Sequence, residues 1–258
     1  MQALRRNSLK PKLAAGDCVI GLFLQIPSPQ LVEILGLAGF DFVIIDGEHG
    51  SIDLSQMEDL IRASLSTNIS PMVRVPECDP VAIRQPLDMG AAGIHVPQIG
   101  SAEAGALAIR SSRYYPAGDR GLQPFVRSAS YRAEPTARYL ASASDDLTMV
   151  FHIEGQGGVE ALDGILALDG LDVVFMGPYD LSQSLGLPGQ VKHPLVREKM
   201  IGIVERARRA GKCVGTFCDD AATAREWREL GVNYLAVGLD AGIFLHASAG
   251  IVREIRGG

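Results

Sequence analysis

Eight short β-rich runs alternate with amphipathic stretches along the 258 residues, and this alternation restricts the fold more than any other feature. The runs are CVIGLFLQ (18–25), DFVIID (41–46), PMVRV (71–75), GIHVP (93–97), TMVFHIE (148–154), DVVFMG (172–177), CVGTF (213–217) and YLAVG (234–238). Most are apolar nearly throughout, as strands buried on both faces are. The segments between them read as helices. SPQLVEILGLAG offers Ser28 as N-cap, Pro29 at the first helical position and Gly39 as C-cap. DLSQMEDLIRASL opens on Asp53 with Gln56 in the capping-box position. HPLVREKMIGIVERARRAG and DDAATAREWRELG repeat the scheme, ending at Gly211 and Gly231. Eight strand–helix units predict an α/β fold, a (β/α)8 TIM barrel with residues 1–258 as one domain. The competitor is an open doubly wound sheet, but no G-x-G-x-x-G follows the first run.

Two stretches break the rhythm. Residues 111–147 contain RYYPAGDRG and FVRSASYR, and residues 178–192 read PYDLSQSLGLPGQVK. Both are expected on the face where barrels build their sites. The PAGDRG loop could cradle an anion on its backbone amides.

Composition narrows the function. Apolar residues make up 47% and charged residues 21%, which argues against disorder. The net charge of −6 disfavours a nucleic-acid or anionic-membrane surface. No apolar run reaches the roughly 18 residues of a membrane span. The basic N-terminus, MQALRRNSLKPKLAAGD, lacks the apolar segment of a secretory signal. Cys18, Cys78, Cys213 and Cys218 have no C-x-x-C spacing and read as reduced thiols of a cytoplasmic protein.

Ionisable residues collect at the ends of the runs. Asp46, Glu48 and His49 follow the second, Arg74 lies in the third and His95 in the fourth. His152 and Glu154 end the fifth, and Asp180 follows the sixth. In a barrel all of these reach one mouth. Glu154 and Asp180 are one β-helix-β step apart, so their carboxylates can converge on a hard divalent cation. The alternative is that each caps a following helix. Arg74, in an otherwise apolar strand, needs a partner: a substrate carboxylate, or an acid of a neighbouring strand. His49, between glycines, is a plausible general base. His95 reads as core or as support for the site.

With these residues assembled, the chain resembles the HpcH/HpaI aldolase and citrate-lyase-like family, the class II pyruvate-dependent aldolases of the 2-keto-3-deoxy acid type. The matching stretches are AGFDFVIIDGEHG, PMVRVP, GAAGIHVPQIGSAEAG, RYYPAGDRG, FHIEGQGGVEALDGI and VVFMGPYDLSQSLGLPGQVKHP. They cover nearly the whole chain in the family's order. The resemblance implies a homohexamer, a trimer of dimers, with a C-terminal helix exchanged between barrels. It implies a divalent metal (Mg²⁺, Mn²⁺ or Co²⁺) held by Glu154 and Asp180. A 2-oxo acid would lie with its carboxylate near Arg74 and the Gly177–Pro178 backbone. His49, oriented by Asp46, would be the acid/base residue, and Asp88 would be lent to a neighbouring active site. Two positions depart from the family: His152, where its aldolases often carry Gln, and Tyr179, where a small residue is common. Both belong to the acceptor side of the substrate pocket.

The activity implied is a carbon–carbon lyase that cleaves or forms a 4-hydroxy-2-oxo acid from pyruvate and an aldehyde through a metal-stabilised enolate. No run contains a lysine for a Schiff base. The alternative is a citrate synthase-like condensation of oxaloacetate with acetyl-CoA in siderophore biosynthesis. A non-catalytic barrel is disfavoured because His49, Arg74, Glu154 and Asp180 are all present.

Overall fold

In the computed structural model, which describes residues 8–143 and 146–257, parallel pairing joins the eight described strands into a closed barrel in sequence order. Residues 1–7, which carry much of the basic N-terminal stretch considered above, lie outside the described residues. The strands are β1 (Val19–Leu24), β2 (Phe42–Asp46), β3 (Ser70–Arg74), β4 (Gly93–Val96), β5 (Thr148–Ile153), β6 (Val173–Met176), β7 (Cys213–Cys218) and β8 (Tyr234–Leu239). Each coincides with one of the eight apolar runs to within a residue or two.

Alternation along each strand separates two packed layers. Phe42 and Ile44 of β2 join Met72, Val150, Val173, Phe175, Tyr234 and Ala236 inside the barrel. Val43 and Ile45 face outward onto the helices, packing with Leu60 and Ile61. Leu9 and Leu13 of the helix Leu9–Ala14 complete the inner cluster from below. The same period of two carries the inner face upward to polar positions. It runs from Phe42 and Ile44 to Asp46, from Met72 to Arg74, and from Val150 to His152 and Glu154. Register then aligns these positions: Asp46 lies opposite Arg74, and Arg74 opposite His95.

The helix ends follow the expected chemistry with one exception. Asp53 and Gln56 form the full capping box, with Asp53 Oδ1 accepting from the Gln56 amide at 2.8 Å and Gln56 Oε1 from the Asp53 amide at 3.0 Å. Pro29 opens the helix Pro29–Leu37, and Gly39 follows its C-terminus at φ +94°. Ser28 stands at the N-cap, but its hydroxyl bonds Gln30 Oε1 instead of a helix amide.

Residues 111–147 require a correction. They connect the helix Ala102–Ser112 to β5, so they approach the bottom of the barrel and not its mouth. The amides of Ala117 and Gly118 both bond the Tyr114 carbonyl, and those of Asp119 and Arg120 bond the carbonyls of Arg110 and Arg113. Those amides are spent on the loop's own fold, so PAGDRG is no anion cradle. Residues 178–192 do follow β6 at the mouth, and they begin with the helix Pro178–Ser184.

Candidate active site

The C-terminal ends of the strands surround a cavity of about 320 Å³. His49, Arg74, His152, Glu154, Gly177, Pro178, Tyr179 and Asp180 all line it, with Gln25, Phe23, Phe175, Phe217 and Leu239. Of the ten candidate residues, only Asp46 and Asp88 are absent from its wall.

Asp46 is fully buried just behind the wall. Its Oδ1 and Oδ2 accept from Arg74 Nε and Nη2 at 2.9 and 2.8 Å, a bidentate pair. Gln25 Nε2 adds a bond to Oδ2 at 2.8 Å. Burial opposes the charge on Asp46, but the Arg74 hydrogen bonds and charge outweigh it and hold the carboxyl below its ordinary value. Asp46 Oδ1 also accepts from the backbone amides of Glu48 and His49. It therefore fixes the loop that carries His49 and does not grip the imidazole ring. The ring is 62% exposed, with Nε2 lying 3.8 Å from Glu48 Oε2.

Arg74 resolves toward the structural alternative without leaving the site. Its fork is committed to Asp46, its Nη1 lies 3.0 Å from Glu48 Oε2, and its guanidinium covers the Phe23 ring at 4.6 Å. Glu48 is pushed up by burial, against the pull of Arg74 and with the repulsion of Glu154.

Across the mouth, Glu154 Oε1 accepts the Gln98 amide at 2.8 Å, and His152 Nδ1 lies 3.3 Å from Oε2. Gln98 adopts φ +54°, unusual for a residue with a side chain. Burial opposes ionisation of Glu154, but His152 and the Gln98 amide prevail and lower its value. Gly177 makes room for this carboxylate, since a Cβ there would fall 2.5 Å from Oε2. Asp180 sits in the first turn of Pro178–Ser184, whose N-cap is Gly177. Its carboxylate has no partner among the described residues. Neither carboxylate caps a helix, so the capping alternative fails for both. No three His, Cys, Asp or Glu side chains gather as a ready-made ion cage among the described residues.

Tyr179 is 46% exposed, and its hydroxyl donates to Asp219 at 2.8 Å. Burial and that bond push its pKa up to about 12. Asp88 lies apart, near the end of the helix Pro80–Met89, bonded to Arg120 Nη2 at 2.7 Å. The sequence reading missed Gln25 as the brace of Asp46. It also missed Asp240, whose buried carboxylate accepts from the Gln25 and Ile26 amides and ties β1 to the last helix. A polar residue closing the first apolar run was the one available signal for Gln25.

The sequence profile of the HpcH/HpaI aldolase/citrate lyase family matches residues 19–247. The chain belongs to this family. A hydroxypyruvate/pyruvate aldolase from Roseovarius nubinhibens is 37% identical over 91% of each chain. A 5-keto-4-deoxy-D-glucarate aldolase from an Enterobacter species is 36% identical over 94% of each. The solved structure of the citrate synthase SbnG superposes with a TM-score of 0.87 at 34% identity, covering 97% of this chain and 98% of that one. The expected class, a class II aldolase and carbon–carbon lyase, stands with this membership. Family aldolases are generally dependent on a divalent metal ion.

Proposed function

We propose that the chain joins or splits pyruvate, or a close 2-oxo acid, and an aldehyde at this cavity. The observation that carries the reading is the convergence of Glu154, Asp180, Arg74 and His49 on one cavity wall. The donor set fits a hard divalent cation such as Mg²⁺, Mn²⁺ or Co²⁺. It consists of two carboxylates, one of them without a partner among the described residues, beside a glycine that leaves room for Glu154 Oε2. Glu154 and Asp180 would hold the ion, leaving its remaining positions to water and substrate. When bound, the cation supplies Lewis acidity for the charge that develops on the 2-oxo oxygen.

The remaining steps belong to side chains. Arg74 Nη1 and the Gly177–Pro178 backbone orient the substrate carboxylate. His49 takes the proton from the 4-hydroxyl in cleavage and returns it to the aldehyde oxygen in synthesis. Asp46 holds the His49 loop by its amides. Phe23, Phe175, Phe217 and Leu239 form the apolar part of the cavity wall and exclude water there. No lysine lines the cavity among the described residues, which supports the metal-dependent class over Schiff-base chemistry.

The proposal extends to assembly as a homohexamer, a trimer of dimers. On the last helix, Asp240–Arg256, only Asp240 is buried, while Ile243, Phe244, Leu245, Ile251, Val252 and Ile255 are exposed. Such a face supports exchange of this helix with a partner barrel. Asp88, remote from its own mouth, would then serve a neighbouring site. Four free cysteines support the cytoplasm as compartment, and no described helix is long and apolar enough to cross a membrane.

The likeness to SbnG, together with Tyr179 and His152 at the cavity wall, favours one second reading: condensation of oxaloacetate with acetyl-CoA. Parallel product assays decide. Pyruvate with small aldehydes, and oxaloacetate with acetyl-CoA, are each run with and without divalent metal. Metal-dependent 4-hydroxy-2-oxo acid formation is expected. Citrate formation alone would replace the aldolase reading with the second one.

A further inference from the structure

Three polar rings lie inside the barrel beneath Glu154, where aliphatic residues would pack as well. Tyr234 and His95 are fully buried and His152 nearly so. Tyr234 Oη lies 2.8 Å from His95 Nε2, and His95 Nδ1 lies 2.9 Å from His152 Nε2. His152 Nδ1 then meets Glu154 Oε2 at 3.3 Å. The His152 ring stacks on Phe175 at 4.7 Å, so it has little freedom to turn. Buried polar groups are costly unless every donor finds an acceptor, and this row satisfies that condition in one direction only.

The direction follows from the two ends of the row. An ionised carboxylate only accepts hydrogen bonds, so His152 Nδ1 carries the hydrogen. From below, the buried Tyr234 hydroxyl needs His95 Nε2 as its acceptor, so His95 donates from Nδ1 and His152 accepts at Nε2. Burial pushes His95 well below and Tyr234 well above their ordinary values, so both remain neutral.

We infer that Tyr234 and His95 are positioning residues that fix the tautomer of His152 and thereby hold Glu154 Oε2 toward the cavity. The inference rests on the proposed role of Glu154 as a metal ligand, and it concerns residues 57 and 139 positions apart in the chain.

The test compares wild type with Tyr234→Phe, His95→Gln and His95→Leu. Nitrogen NMR of the imidazoles in metal-free protein reads the tautomers, and Mn²⁺ titration followed by electron paramagnetic resonance reads the site. In wild type, both histidines should carry the hydrogen on Nδ1. Tyr234→Phe should release His95 into a tautomer mixture and weaken Mn²⁺ binding about 10–100-fold, the usual scale for outer-shell partners. His95→Gln can accept from Tyr234 and donate to His152, so it should bind Mn²⁺ more tightly than His95→Leu. Wild-type tautomers and Mn²⁺ affinity in Tyr234→Phe would overturn the inference. If that variant does not fold, equal Mn²⁺ affinity in the two His95 variants would overturn it. A wild type that binds no Mn²⁺ would instead defeat the metal-site reading, while the tautomers would still report on the chain of hydrogen bonds.

Discussion

On the β2–β3 side of the mouth, Asp46, Glu48 and Arg74 pair with one another; on the β5–β6 side, Glu154 and Asp180 face the cavity, and among the described residues no Lys or Arg bonds either. The first group is an ion network with a bidentate pair at its centre and Arg74 reaching the cavity wall. The second is a pair of carboxylates, of which Glu154 is steadied by the Gln98 amide and the His152 ring. The contrast separates two tasks. The paired side is rigid, and it presents His49 and one edge of Arg74. The other side has negative charge left over, which suits it to a cation.

Substitutions can break this contrast, beginning with the largest effect. His49 hangs from the paired side but bears little of its stability, being largely exposed. His49→Ala should lose about 10²–10⁴-fold in turnover while keeping its melting temperature and Mn²⁺ binding. Steady-state kinetics beside calorimetry checks this, and loss of metal binding would move His49 to the other side of the comparison.

Asp46→Asn attacks the network itself. Removing one partner of a buried pair costs about 3–5 kcal/mol, and the low end applies because Glu48 still neutralises part of Arg74. The folded carboxyl lies below its ordinary value of 3.8. Wild type should therefore hold its full advantage above that value and lose it as pH falls through the lower folded value. Urea unfolding of both proteins across that range reads the difference. An advantage unchanged in acid would contradict the ionic account.

Arg74→Lys is the milder version. It keeps the charge but loses the planar fork, which should cost about 1.5–3 kcal/mol, the scale of one hydrogen bond to a charged group. The Michaelis constant for the oxo acid should rise as well. A stability loss with an unchanged Michaelis constant would make Arg74 purely a partner of Asp46.

Much of this arrangement was legible in the sequence, because strands buried on both faces announce themselves as apolar runs. Their polar ends then mark the mouth. Asp46, Arg74, His152 and Glu154 lie at or near those ends, so their convergence followed from the barrel reading, and the structure adds that they continue the inward period of two. What the sequence did not reveal depends on partners distant along the chain. Arg74 could have met a substrate or an acid, and only the register of β2 and β3 chose Asp46. The histidine row needed Tyr234, which read as one more aromatic strand residue. The PAGDRG loop misled because glycine-rich composition does not say where backbone amides point. Residues 111–147 misled because their length was assigned to the wrong end of the barrel.

The most direct measurement is Mn²⁺ binding to chelator-treated protein, followed by electron paramagnetic resonance in wild type, Glu154→Gln and Asp180→Asn, with turnover recorded on the same samples. One ion should bind per wild-type chain and restore activity, and both variants should lose binding and turnover together while remaining folded. Full turnover in the metal-free wild type, or unchanged Mn²⁺ binding in both variants, would contradict the assignment of the β5–β6 carboxylates as the cation site.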